Sequence, residues 1–198
     1  MSGPAPPPPA AATPGRLTVI CGCMFSGKTA RLIEHLRAAR AAGRCVVACK
    51  HRLDTRYDPA HLATHDGRTF AAVAVAIAGD ILPAATDAQV VGIDEAQFFG
   101  GALVPVCRTL TSVGVAVIVA GIDRDAWGRP FPPLPELCRQ ADAVEPLHAP
   151  CAVCGRPAAY SQRVVPVTDD EMVGGPGKYE PRCRAHFTPL PPPAPHYA

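Results

Sequence analysis

Apolar residues in this chain fall into short, nearly continuous runs separated by longer mixed stretches. Leu17-Thr18-Val19-Ile20-Cys21 is apolar and β-branched, which predicts a buried strand. Over residues 29–42 the pattern becomes helical. Leu32, Ile33, Leu36 and Ala39 recur at helix spacing, Arg31, Glu34, Arg37 and Arg40 occupy polar positions, and Gly43 supplies a stop. Cys45-Val46-Val47-Ala48-Cys49 predicts the next strand, completing a strand–loop–helix–strand unit whose parallel form requires a right-handed crossover. Residues 51–70 are polar and rich in His, Asp and Arg, and read as a long loop open to function. Residues 71–82 fit a strand or a helix equally. Gln89-Val90-Val91-Gly92-Ile93 is a third strand, ending in Asp94-Glu95. Residues 102–113 read as a helix with Pro105 in its first turn, and Val115-Ala116-Val117-Ile118-Val119-Ala120 as a fourth strand. Alternating strands and helices predict an α/β domain with a parallel sheet. After Pro150 short strands, glycines and paired metal-type ligands replace this pattern, as expected of a small second module.

Composition narrows the picture. A chain of 198 residues, 48% of them hydrophobic, suits one full domain with an appendage and excludes a wholly disordered chain. A formal charge of +2 gives no basic shell for extended nucleic-acid contact. No apolar run reaches the roughly 20 residues that span a bilayer. The first residues lack a basic start followed by an apolar segment, so no export signal is expected. Of 24 prolines, six lie in residues 1–14 and five follow Phe187. The expected layout is a disordered proline-rich tail (1–14), an α/β nucleotide-binding domain (15–148), a metal-binding domain (149–187) and a second disordered tail (188–198). Nine cysteines, an odd number without an export signal, argue against a disulfide framework and for a reducing, cytoplasmic setting. Cys21, Cys45, Cys49 and Cys107 fall in apolar stretches and read as buried thiols.

Two groups of residues carry chemistry. Gly22-Cys23-Met24-Phe25-Ser26-Gly27-Lys28-Thr29 matches the phosphate-loop pattern G-x-x-x-x-G-K-[ST] between a strand and a helix. There, backbone N–H groups can wrap a triphosphate, Lys28 can neutralise its β and γ phosphates, and Thr29 can offer a hydroxyl to Mg²⁺. Val90-Val91-Gly92-Ile93-Asp94-Glu95 delivers two acids at a strand end, where ligands of parallel sheets bind. Asp94 suits Mg²⁺, and Glu95 suits proton removal from an attacking hydroxyl or water, which leaves a kinase and an ATPase both open. Further on, Cys151-x-x-Cys154 and Cys183-x-x-His186 are separated by 28 residues. Two such knuckles complete a tetrahedron of soft ligands suited to Zn²⁺, and four protein ligands make the site structural. A zinc-ribbon nucleic-acid module is a competing reading, weakened by the near-neutral charge and the intact phosphate loop.

Taken together, these residues resemble a known family. The phosphate loop resembles the G-P-M-F-S-G-K-[ST] loop of type II, cytosolic-type thymidine kinases. Asp54-Thr55-Arg56, Thr64-His65-Asp66, Ile93-Asp94-Glu95-Ala96-Gln97-Phe98-Phe99 and Val173-Gly174-Gly175-Pro176-Gly177-Lys178-Tyr179 resemble further motifs of that family in the same order, over about residues 16–187. The resemblance implies a RecA-like α/β domain plus a zinc-containing domain carrying a lasso loop. It implies transfer of the γ-phosphate of ATP to the 5′-hydroxyl of thymidine, with deoxyuridine a further candidate acceptor, yielding dTMP in nucleotide salvage. By the same resemblance Glu95 is the catalytic base. ATP and Mg²⁺ contacts fall on residues 22–29, Asp54, Thr55, Arg56, Asp94, Glu95, Ala96 and Gln97. Nucleoside contacts fall on Met24, Phe98, Ile122, Phe131, Asp170, Glu171, Met172, Val173, Gly174 and Tyr179. A homotetramer inhibited by thymidine triphosphate is implied, without membrane association or direct nucleic-acid binding. Three departures stand out. Cys23 replaces a proline of the phosphate loop, His186 stands where some members carry cysteine, and Ala126 replaces a common phenylalanine, with Trp127 beside it as a candidate substitute wall.

Overall fold

The computed structural model describes residues 13–54, 60–166, 177–189 and 191. Its centre is a six-stranded sheet in which every pairing is parallel. In chain order the elements are β1 (Leu17–Gly22), α1 (Lys28–Ala41), β2 (Val46–His51), β3 (His61–Ala63), β4 (Thr69–Ala71), β5 (Val73–Val75), α2 (Ile81–Ala84), β6 (Val90–Asp94), α3 (Leu103–Ser112), β7 (Ala116–Gly121), α4 (Leu134–Gln140), β8 (Ala143–Leu147), β9 (Ala149–Pro150), β10 (Pro157–Ala158), β11 (Tyr160–Arg163) and β12 (Tyr179–Arg182). The sheet order is β5-β2-β6-β7-β1-β8.

Both faces of the sheet are covered, which explains why its central strands read as apolar runs rather than alternating ones: all five residues of β6 are buried. On one face Leu32, Ile33 and Leu36 of α1 pack on Ile20, Ala48, Val90 and Ile118. On the other, Leu103, Val106 and Leu110 of α3 and Leu134 and Leu137 of α4 pack on Val19, Val91, Ile93, Val117 and Val119. The apolar spacing that predicted α1 is the stripe it buries.

Several expectations need correction. Residues 51–70 are not one loop, because β3 and β4 pair antiparallel within and just beyond them, Leu62 opposite Phe70. Those two side chains are buried beneath α1, a pattern too short to show as periodicity. The ambiguous stretch 71–82 is both things in turn, holding β5 and then the start of α2. α4 and β8 carry no clear pattern in the sequence, because Pro135 and Pro146 interrupt them. Cys45 is exposed, since it stands one residue before β2, outside the sheet, whereas Cys21, Cys49 and Cys107 are buried as expected.

Beyond β8 the chain forms two short antiparallel pairs, β9–β10 and β11–β12. They attach to the sheet through the phosphate loop: Cys23 Sγ donates to Ala158 O at 3.2 Å, and Met24 N to Ser161 Oγ at 2.8 Å. Among the described residues no helix is long and apolar enough to cross a membrane.

Candidate active site

The loop between β1 and α1 has the backbone that an anion cradle needs. Gly22 takes φ 146°, and a Cβ there would come within 2.2 Å of Leu147 O. Gly27 takes φ 85° at the N-cap of α1, so the helix starts immediately at Lys28. The helix N-terminus thus opens onto the loop, where its free N–H groups favour negative charge. Ser26 Oγ is buried and has no hydrogen-bond partner among the described residues, the state expected of a group that completes its bonding on a ligand.

β7 lies between β1 and β6, so the loop after β1 and the acids after β6 face one crevice at the C-terminal edge of the sheet. Thr29 Oγ1 donates to Asp94 Oδ2 at 2.9 Å, joining the two halves. Asp94 is 4% exposed. Burial, reinforced by the neighbouring Glu95 charge, pushes its carboxyl up to about 7. A cation at this point would return it to the ionised form. Lys28 is shifted the other way: burial lowers its ammonium, and Glu95 oppose that shift together with Asp94. Its Nζ donates to Cys23 O at 2.6 Å.

Glu95 has a left-handed backbone, φ 52° and ψ 44°, uncommon for a side chain with a Cβ. Its N–H donates to Asp94 Oδ1 at 3.0 Å, its carbonyl accepts from Phe98 N at 3.0 Å, and Gln97 Nε2 donates to Glu95 Oε2. Gln97 Oε1 in turn accepts from Ile122 N at 3.1 Å. These bonds hold the carboxylate against two cavities.

The larger cavity, about 380 Å³, is lined by Phe25, Gly27, Lys28, Thr29, Asp54 and Asp94, among others. The smaller, about 50 Å³, is lined by Gln97, Phe98, Ala126, Phe131, Ser161 and Tyr179, among others. Met24, Glu95 and Ile122 belong to both walls. One cavity therefore offers cationic and hydroxyl groups at a helix start, and the other offers aromatic walls with a few polar groups. A carboxylate lies where they meet.

Most sequence-derived site residues converge here. Gly22, Cys23 and Ser26 shape the loop behind the larger cavity, while the Ala96 side chain turns into the sheet core. Thr55, Arg56, Asp170, Glu171, Met172, Val173 and Gly174 lie outside the described residues. Ala126 is buried against Met24 and Tyr179, with Trp127 half-buried beside the same cluster and its ring under Arg129. Trp127 is not among the residues that line the smaller cavity.

Other lining residues were less visible. Thr64, His65, Asp66 and Arg68 form a wall of the larger cavity. Thr64 Oγ1 accepts from Arg68 N at 2.9 Å, and Arg68 pairs with Asp66 and with Glu34 of α1. The T-H-D motif is the one signal that the sequence offers for this wall. Ser161, Arg124 and Asp125 line the smaller cavity without any motif of their own.

The remaining cluster lies beside this site. Cys151, Cys154, Cys183 and His186 present ligand atoms that all fall within 4.8 Å of one another. Cys154 and Cys183 Sγ are 3.8 Å apart, and His186 Nδ1 is 3.4 Å from Cys183 Sγ and 3.8 Å from Cys151 Sγ. A tetrahedron of thiolates and imidazole around Zn²⁺ has edges of roughly 3.5–3.8 Å, so the donor set and its spacing fit that ion.

A family model described as thymidine kinase matches residues 15–187. A thymidine kinase of Rhodothermus sp. (strain ITI 518) is 48% identical over 178 residues, 88% of this chain and 82% of its own length. Thymidine kinases of Coprothermobacter proteolyticus and Bacteroides thetaiotaomicron are 49% and 44% identical, covering 87% and 86% of this chain and 90% and 85% of their own.

Proposed function

The chain belongs to the thymidine kinase family, and we propose that it transfers the γ-phosphate of ATP to the 5′-hydroxyl of thymidine, giving dTMP for nucleotide salvage. The observation that carries this reading is the position of Glu95 on the shared wall of the two cavities. In this reading the larger cavity takes the triphosphate and the smaller takes the nucleoside. Glu95 then lies where the sugar's primary hydroxyl meets the γ-phosphoryl group, and accepts its proton as the new P–O bond forms and the bond from the γ-phosphorus to the β-phosphate oxygen breaks, releasing ADP. Lys28 and the loop N–H groups balance the charge that develops on the phosphoryl oxygens. Thr29 and Asp94, an all-oxygen pair, would hold Mg²⁺, which would supply positive charge against the phosphates there. Asp54, Gln97 and the backbone at Ala96 complete the nucleotide side, with Thr55 and Arg56. Met24, Phe98, Ile122, Phe131 and Tyr179 enclose the nucleoside, with Asp170, Glu171, Met172, Val173 and Gly174.

We assign residues 15–148 to the nucleotide-binding domain and 149–187 to a domain pinned by structural Zn²⁺ on Cys151, Cys154, Cys183 and His186. A homotetrameric assembly, feedback inhibition by thymidine triphosphate and a cytoplasmic location belong to the same proposal.

The direct test is phosphate transfer from ATP across a panel of nucleosides, with thymidine preferred and deoxyuridine accepted. ATP turnover at one rate with and without thymidine would instead identify an ATPase. The zinc reading has its own test. Ala158 and Ser161, which bond to the phosphate loop, lie between the two ligand pairs, and Ser161 also lines the smaller cavity. Cys151→Ser is expected to abolish bound zinc and raise the thymidine KM ~10-fold or more, with a smaller change for ATP. A zinc-free variant with ordinary affinity for thymidine would contradict a structural metal.

A further inference from the structure

Arg163 ends β11 and stands directly opposite Tyr179 of β12. Both are buried, Arg163 at 3% exposure and Tyr179 at 5%. A buried guanidinium ordinarily needs a carboxylate, because moving an unpaired charge out of water is costly. Among the described residues Arg163 forms no ion pair with one. Its Nε donates to Val165 O at 3.1 Å, Nη2 to Pro166 O at 3.3 Å, and Nη1 to Tyr179 Oη at 3.3 Å. The guanidinium carbon is also 5.6 Å from the centre of the Tyr179 ring, within reach of the ring's negative face.

Strand pairing does not require this charge. β11 and β12 already pair over four residue pairs, and Val164 N donates to Lys178 O at 2.9 Å just beyond them. What Arg163 adds is control of Tyr179. Arginine has donors and no acceptor, so the tyrosine oxygen must accept in their bond. The phenolic proton is then left for a different acceptor. A single buried side chain thus sets both where the ring lies and which polarity its hydroxyl offers. Tyr179 is a wall of the smaller cavity and packs there with Met24 and Ala126.

We propose that Arg163 is a positioning residue for nucleoside binding, acting through Tyr179 to fix one wall of the smaller cavity and the donor that this wall presents. The proposal rests on reading that cavity as the nucleoside site. It predicts that the loss of Arg163 acts on one substrate and not on the other.

The test is steady-state kinetics of the full chain, wild type against Arg163→Met, Arg163→Lys, Tyr179→Phe and the Arg163→Met/Tyr179→Phe double variant, with bound zinc measured on each. Arg163→Met should raise the thymidine KM ~10-fold or more, the scale of losing a charged hydrogen bond in a buried site, and leave the ATP KM within ~2-fold. Arg163→Lys should recover part of the loss, because an ammonium keeps the charge but lacks the planar fork. In the Tyr179→Phe background Arg163→Met should add less than ~2-fold, as for two residues acting as one unit. Three results overturn the proposal: an unchanged thymidine KM in a zinc-loaded variant, equal rises in both KM values, or a full multiplicative effect in the double variant. If Arg163→Met does not fold, Arg163→Lys decides, and a wild-type thymidine KM there overturns it. The wild-type rate on thymidine separates the two levels. If it is missing, the reading of the cavity falls and this proposal with it, whereas a normal rate with unmoved variant KM values removes this proposal alone.

Discussion

Replacing Glu95 with glutamine is expected to lower turnover ~10²-fold or more while ATP affinity stays within ~2-fold. Glutamine keeps the shape of the side chain and removes its capacity to take a proton. The residue is held in place independently of its charge, since its backbone bonds to Asp94 Oδ1 and Phe98 N survive the change. The left-handed backbone at Glu95 is itself informative. Such a conformation costs about 1–2 kcal/mol in a residue with a Cβ and persists where surrounding contacts over-determine it, often at functional sites. Here it turns the side chain from the end of β6 onto the wall shared by the two cavities. The measurements are kcat with saturating thymidine and ATP affinity by calorimetry. Unchanged turnover would remove Glu95 from the base role and leave proton transfer to water or to the phosphate itself.

Replacing Lys28 with methionine is expected to lower kcat/KM for ATP ~10²–10³-fold, the scale seen when one preorganised donor to a developing oxyanion is lost. Methionine retains much of the apolar stem, so the loss isolates the ammonium. In the described chain that ammonium donates to Cys23 O, within its own loop. It is partly desolvated, and the nearby Glu95 and Asp94 charges favour its protonated form. An arriving phosphate would compete for a cation that is already in place, with little reorganisation. The thymidine KM should move far less than that for ATP, because Lys28 lines only the larger cavity. Equal loss for both substrates would show that Lys28 supports the loop rather than the phosphates.

Much of the site could be read from the chain because its parts are contiguous. The phosphate loop is eight consecutive residues between a strand and a helix, and each flanking element carries a strong local pattern. Asp94 ends a run of five buried residues, and Glu95 follows it. The four metal-type ligands come as two tight pairs whose spacing is itself the chemical signal. The elements that escaped are those whose identity depends on remote partners. β3 and β4 have three residues each and are stable only against each other and beneath α1. β8 carries a proline and an exposed valine, and it becomes a strand by pairing with β1, where Leu17 N also donates to Asp142 Oδ2 at 2.8 Å.

The amino-acid order alone determined the phosphate loop, the acidic pair, the metal ligands and the α/β class, since each rests on short-range geometry that neighbouring residues impose on one another. Tertiary structure decided that Met24, Glu95 and Ile122 would be common to two cavities, that Ser161 would reach the phosphate loop, and that Arg163 would face Tyr179. The physical reason is the sheet order. With β7 between β1 and β6, and β11 paired with β12, groups far apart in sequence meet at one edge, and no local pattern records which distant partner a strand will choose.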